Sequence, residues 1–251
     1  MKHATDHAVQ GITRRWLLAI FVAALQCLQP GESLAQGRSV TVAAAEYSMP
    51  LPGGYVDFCD IDEDAASDFP SFVPDSNEFL SCYATPSDVK EWQDGTGGLF
   101  SSYLIATVMK GTIARNASAQ EFAAFSSSLK KSLTTLASRL PASMQQQIDL
   151  ATATLSSKYD IDARTTLNSL VPIGAFDEGA DRISTVWLAD ATHEVEGQTV
   201  NDRQVQVSSS VLVNGKLFVL FTYGKLESTA DVERYKKVAR EWTSKFVEAN
   251  R

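Results

Sequence analysis

Histidine is scarce in this 251-residue chain. There are three, and two of them, His3 and His7, fall in the first seven residues. Cysteine is as scarce, with Cys27, Cys59 and Cys82 the full set. Beyond residue 28 there is no long apolar run, and no G-x-S-x-G element occurs. Each lack excludes something. A tetrahedral zinc site needs four nitrogen or sulfur ligands, and the supply is too small. Ser–His–acid or Cys–His catalysis in the body of the chain would have to use His193, the one histidine after His7. Gly95-Thr96-Gly97-Gly98 begins like a dinucleotide fingerprint, but Phe100 stands where the third glycine belongs and no βαβ pattern surrounds it. It reads as a turn, and no cofactor motif remains.

Positive charge is also short. The chain has 22 basic and 30 acidic residues. Residues 36–100 hold twelve acidic residues against two basic ones, Arg38 and Lys90. Such a surface repels nucleic-acid phosphates and anionic membranes.

What is present begins with residues 1–35. Lys2, Arg14 and Arg15 precede the apolar run Trp16–Leu28; Gln29, Pro30 and Gly31 break it; Ser33-Leu34-Ala35 supplies small residues at the cleavage positions. This is the layout of a cleaved signal peptide. The alternative is a retained membrane anchor, against which the run is shorter than the roughly 20 residues that span a bilayer; after cleavage no stable membrane insertion is expected. Thr13-Arg14-Arg15-Trp16-Leu17-Leu18 resembles a twin-arginine signal, and an ordinary signal with two arginines fits as well. Removing Lys2, Arg14, Arg15, Asp6 and Glu32 leaves 19 basic and 28 acidic residues, a net charge of −9. The expected location is the bacterial periplasm or the extracellular space. There, an even pair of cysteines, Cys59 and Cys82, reads as one disulfide.

Residues 36–251 read as a single α+β domain. Val40-Thr41-Val42 suggests a strand or extended arm. Glu78–Tyr83 and Leu99–Met109 are strand candidates, and Pro86-Ser87-Asp88 starts a helix with Val89 and Trp92 on one face. Ser118 and Glu121 form a capping box. Behind it an apolar stripe from Phe122 to Leu140 predicts a helix ending near Pro141, and Met144 to Leu155 a second helix. Residues 159–181 read as a connection, and Arg182–Asp190 as a strand. Asn214-Gly215 between two apolar segments predicts a C-terminal β-hairpin. Its second strand is apolar on both faces, as a central strand covered on both sides would be. Val232, Tyr235, Val238, Ala239, Trp242 and Phe246 make one face of a last helix. The expected architecture is a central antiparallel sheet with that hairpin, flanked by amphipathic helices on its faces.

Phe58-Cys59-Asp60-Ile61-Asp62, Trp92 with Gly95, Gly174-Ala175-Phe176-Asp177 and Val213-Asn214-Gly215-Lys216 together resemble an uncharacterised family of small exported proteobacterial proteins. In that family's pattern the second cysteine lies six residues before the tryptophan; here Pro86 holds that place and Cys82 is the cysteine. The order of elements is similar to PsbP-like folds, which implies an architecture and no activity.

Two residue groups are candidate sites. Asp60, Asp62, Asp64 and Asp68 match calcium-loop positions, but Ala65 replaces the turn glycine and Ser71 the closing glutamate, so a weak metal candidate remains. His193, in Asp190-Ala191-Thr192-His193-Glu194, reads as a solvated loop histidine. The function expected is a non-enzymatic binding or interaction protein with a protein or small-molecule partner. The alternative is a hydrolase using His193 with Asp190 and Glu194.

Overall fold

The computed structural model describes residues 37–94 and 100–251. The proposed signal peptide, Cys27, the arginine pair and the Gly95–Gly98 turn lie outside the described residues. Two strands open the domain, β1 (Arg38–Val42) and β2 (Ala45–Met49), paired antiparallel to each other. Ala43 and Ala44 turn the chain between them at φ 50° and 67°.

Then come β3 (Val56–Asp57), the short helices α1 (Phe58–Ile61) and α2 (Glu63–Asp68), and a 3-10 turn at Phe69–Phe72. They lead into β4 (Asn77–Ala84), α3 (Pro86–Gln93), β5 (Ser102–Met109) and α4 (Lys110–Ile113). A long helix, α5 (Ala119–Tyr159), follows. The chain ends with β6 (Ala163–Phe176), β7 (Arg182–Val195), β8 (Gln198–Val213), β9 (Lys216–Lys225) and α6 (Thr229–Ala249). Seven strands make one antiparallel sheet in the order β3-β4-β5-β9-β8-β7-β6.

β8 and β9 are joined by Asn214-Gly215, both at positive φ, with Val213 opposite Lys216 and Val211 opposite Phe218. β9 sits mid-sheet between β5 and β8. Successive strand residues point to opposite faces. Phe218 and Leu220 therefore meet Trp242 and Phe246 of α6. Leu217 faces the other way and packs with Phe122 of α5. One amphipathic helix covers each face, the α+β arrangement expected. Ser118 with Glu121 caps α5, and Ser228 with Asp231 caps α6.

Three expectations are corrected. The helix does not end at Pro141: α5 runs unbroken to Tyr159. An interior proline removes one backbone donor and costs about 3 kcal/mol. The apolar stripe nevertheless stays in phase past it through Met144, Ile148, Ala151 and Leu155, so burial favours one helix. The connection at 159–181 is mostly β6, a strand at the sheet edge. Register shifts at Leu167/Ser169 and Pro172/Gly174 break its alternation, and an edge strand tolerates a proline. Finally, β7 extends to Val195 and β8 begins at Gln198, so His193 lies in a strand.

Candidate functional site

Cys59 and Cys82 are joined by a disulfide, Cα to Cα 5.4 Å. The bond ties α1 to β4. Asp57 caps α1, its side chain accepting from the amide of Asp60. Burial pushes the Asp57 carboxyl up, and the Arg38 guanidinium, 3.6 Å away, pulls it part of the way back.

Around the disulfide the rings gather. Phe58 is buried and touches Phe69, Trp92 and Phe100 at centroid distances of 6.0, 5.9 and 5.2 Å. Phe69 continues to Phe72 at 6.4 Å. Edge-on contacts of this kind stabilise by about 0.5–1.5 kcal/mol each beyond area burial. Three large apolar side chains of this group stand in solvent: Ile61 at 47 % exposure, Phe72 at 43 % and Trp92 at 41 %.

Polar contacts hold the frame. The Trp92 indole Nε1 donates to Asp62 Oδ2 at 2.7 Å. Asp88, buried in α3, accepts from the Ser101 and Ser102 amides and from the Ser101 and Thr85 hydroxyls. That carboxylate pins the start of β5 to α3. Lys158, at the end of α5, reaches Asp68 at 2.7 Å and Asp64 at 3.7 Å.

The calcium-like spacing does not become a cation cage. Asp62 is turned to Trp92, Asp64 and Asp68 face Lys158, and Asp60 is exposed on α1. Among the described residues no three His, Cys, Asp or Glu side chains converge as metal ligands.

His193 has different neighbours from those expected. Strand alternation sends Asp190 and Glu194 to the opposite face of β7. The imidazole Nδ1 lies 3.0 Å from Thr165 Oγ1 on β6, and Nε2 lies 3.8 Å from Asp202 Oδ2 on β8, with no hydrogen-bond partner. That separation is beyond hydrogen-bond reach and within ion-pair range. Thr165 and Asp202 become visible only with the register of β6, β7 and β8; no local motif marks them. A cleft of about 210 Å³ lies beside Ser126, Lys130, Glu178 and Arg182, and Lys130 pairs with Glu178 across it at 2.6 Å. No helix among the described residues is long and apolar enough to cross a membrane.

No protein-family model matches this chain, and no curated protein matches it. Among solved structures it is similar to the Saccharomyces cerevisiae Ran-binding protein Mog1p, at 9% identity and a TM-score of 0.30, covering 86% of this chain and 93% of that one. A point mutant of protein Mog1 gives 9% identity and a TM-score of 0.30, with 85% and 92% covered. At that score the likeness bears on neither fold nor function.

Proposed function

We propose that the chain is an exported, non-enzymatic binding module, with residues 1–35 a signal peptide and the folded part working in the periplasm or outside the cell. The carrying observation is the exposed ring surface beside the disulfide: Ile61, Phe72 and Trp92 stand in solvent on a frame clamped by Cys59–Cys82. Large exposed apolar groups on a rigid base mark an interaction site. The positive start followed by an apolar run supports export, and the disulfide fits an oxidising compartment. The resemblance to exported proteobacterial proteins points the same way.

Capture from an extract of the source organism tests the reading. The oxidised protein should retain a partner that the Phe72→Ala/Trp92→Ala double variant loses. Equal capture by both would overturn the assignment of the surface. His193→Ala should behave as wild type there and in a broad hydrolase screen. A hydrolytic activity abolished by His193→Ala would instead establish the enzyme reading, with Thr165 and Asp202 as the neighbours to examine.

A further inference from the structure

We infer that the ring surface around Trp92 takes a basic, apolar-bearing segment of another protein, one that places Lys or Arg beside bulky hydrophobic side chains. This rests on the binding reading above and names its partner class. The first ground is charge. Asp60 and Glu63 flank Ile61, and Asp75 follows Phe72; all three are exposed and make no salt bridge among the described residues. The only basic residues between positions 36 and 100 are already engaged, Arg38 with Asp57 and Lys90 with Asp94. Lys158 of α5 reaches in to Asp64 and Asp68, and Asp60, Glu63 and Asp75 remain as negative charge around the apolar anchors. An acidic partner would be repelled and a basic one steered in.

The second ground is the indole itself. Its one hydrogen-bond donor is occupied by Asp62, and its position is set by ring contacts with Phe58 and Phe100. Trp92 is otherwise 41 % exposed, and indole is the best aromatic group for an ammonium or guanidinium partner. The third ground is extent. Phe72 and Trp92 are separated by three successive ring contacts through Phe69 and Phe58. A partner that touches both needs more than one side chain, as a peptide segment has. Anionic lipid is disfavoured by the same charge that favours a basic peptide.

Fluorescence of the oxidised full chain tests this. Trp16 falls in the proposed signal peptide, Trp187 and Trp242 are buried at 6 % and 1 % exposure, and the difference between wild type and Trp92→Phe isolates the Trp92 signal. The probes are an amphipathic Leu/Lys peptide, a Leu/Glu peptide of the same pattern, tetralysine, and anionic phospholipid vesicles. The Leu/Lys peptide should bind and protect Trp92 from acrylamide, and binding should weaken with salt. Affinity, measured by titration calorimetry because Trp92→Ala lacks the reporter, should fall about tenfold in Trp92→Ala and in Phe72→Ala. It should fall severalfold, with a shallower salt dependence, in Asp60→Asn/Glu63→Gln, and stay unchanged in His193→Ala. Tetralysine should bind at least about tenfold more weakly, because it lacks the apolar part. Equal binding by wild type and both alanine variants, equal binding of the Leu/Glu peptide, or stronger protection by vesicles would each overturn the inference. If the peptide fails while the extract still yields a partner lost in the double alanine variant, the partner class is wrong and the binding reading stands.

Discussion

Asp88 shows how one side chain can hold a surface together from beneath. It takes hydrogen bonds from two backbone amides and two hydroxyls while buried. Asp88→Ala leaves the Ser101 and Ser102 amides without their acceptor, and each unsatisfied buried donor costs about 1–3 kcal/mol. We expect a loss of about 2–4 kcal/mol in urea unfolding, with the Trp92 environment altered as well. Asp231 acts at the start of α6. The Ser228 amide, and with it the Glu227 amide and the Ser228 hydroxyl, holds its carboxyl below the ordinary 3.8. A lowered carboxyl contributes stability above its unfolded value and loses it as pH falls through the folded value. Melting temperature of the wild type should therefore drop more steeply below pH 3.8 than that of Asp231→Asn. Parallel curves would remove this role. The cysteine pairing was legible because only two cysteines follow residue 35. Asp88 was not, because its amide partners lie 13 and 14 residues away in sequence. Trp92 shares a face of α3 with Val89 beside Phe58; the sequence did not show that Val89 is buried while Trp92 keeps 41 % exposure.

Among the elements, the regular helices were the readable ones. The two capping boxes and the 3–4 spacing carry their own geometry, so the start of α5 and the whole of α6 follow from local residues. The end of α5 was misread because Pro141 is a strong local stop signal, while the in-phase stripe beyond it is a weaker, longer-range one. β1 and β2 were not separated because Ala43-Ala44 carries no turn signature; a left-handed alanine is held there by the pairing on either side. β6 was missed because its irregularities erase period-2 alternation. That edge has a specific cover. Gln145 of α5 donates through Nε2 to the Thr165 carbonyl at 2.8 Å and accepts through Oε1 from the Leu167 amide at 2.7 Å. It occupies positions that a neighbouring strand would otherwise take, which limits edge-to-edge association. Gln145→Ala should speed hydrogen exchange of the Leu167 amide at least about tenfold, which corresponds to an opening made easier by about 1.4 kcal/mol. It should also raise light scattering at high concentration. An unchanged Leu167 amide would show that the edge is protected by other means.

For the whole molecule, the sheet and its two covering helices form one body, and the disulfide-bound segment is the part most dependent on a cross-link. Cys59 and Cys82 are 23 positions apart, and a closed loop of that size removes unfolded-state entropy worth about 3 kcal/mol. Reduction, or Cys59→Ser, should lower stability by about 2–4 kcal/mol while far-ultraviolet circular dichroism keeps its native form. The reason is that β5 to β9, α5 and α6 lie outside the loop. Collapse of the whole spectrum on reduction would mean that the sheet depends on the bridge. The site was only partly legible at this scale. The acidity and the rings near the cysteines stand in the sequence. Their arrangement does not, because it arises where α1, α3, β4 and the Phe69–Phe72 turn meet. The proposed function is that of an exported binding module whose interaction surface is clamped by a disulfide. One intact-mass measurement, on the non-reduced protein from its native host, tests export and clamp together. The account predicts a chain beginning at or near Gln36 that is two hydrogens lighter than its reduced form. A full-length chain from Met1 in the cytosolic fraction, with Cys59 and Cys82 as free thiols, would contradict it.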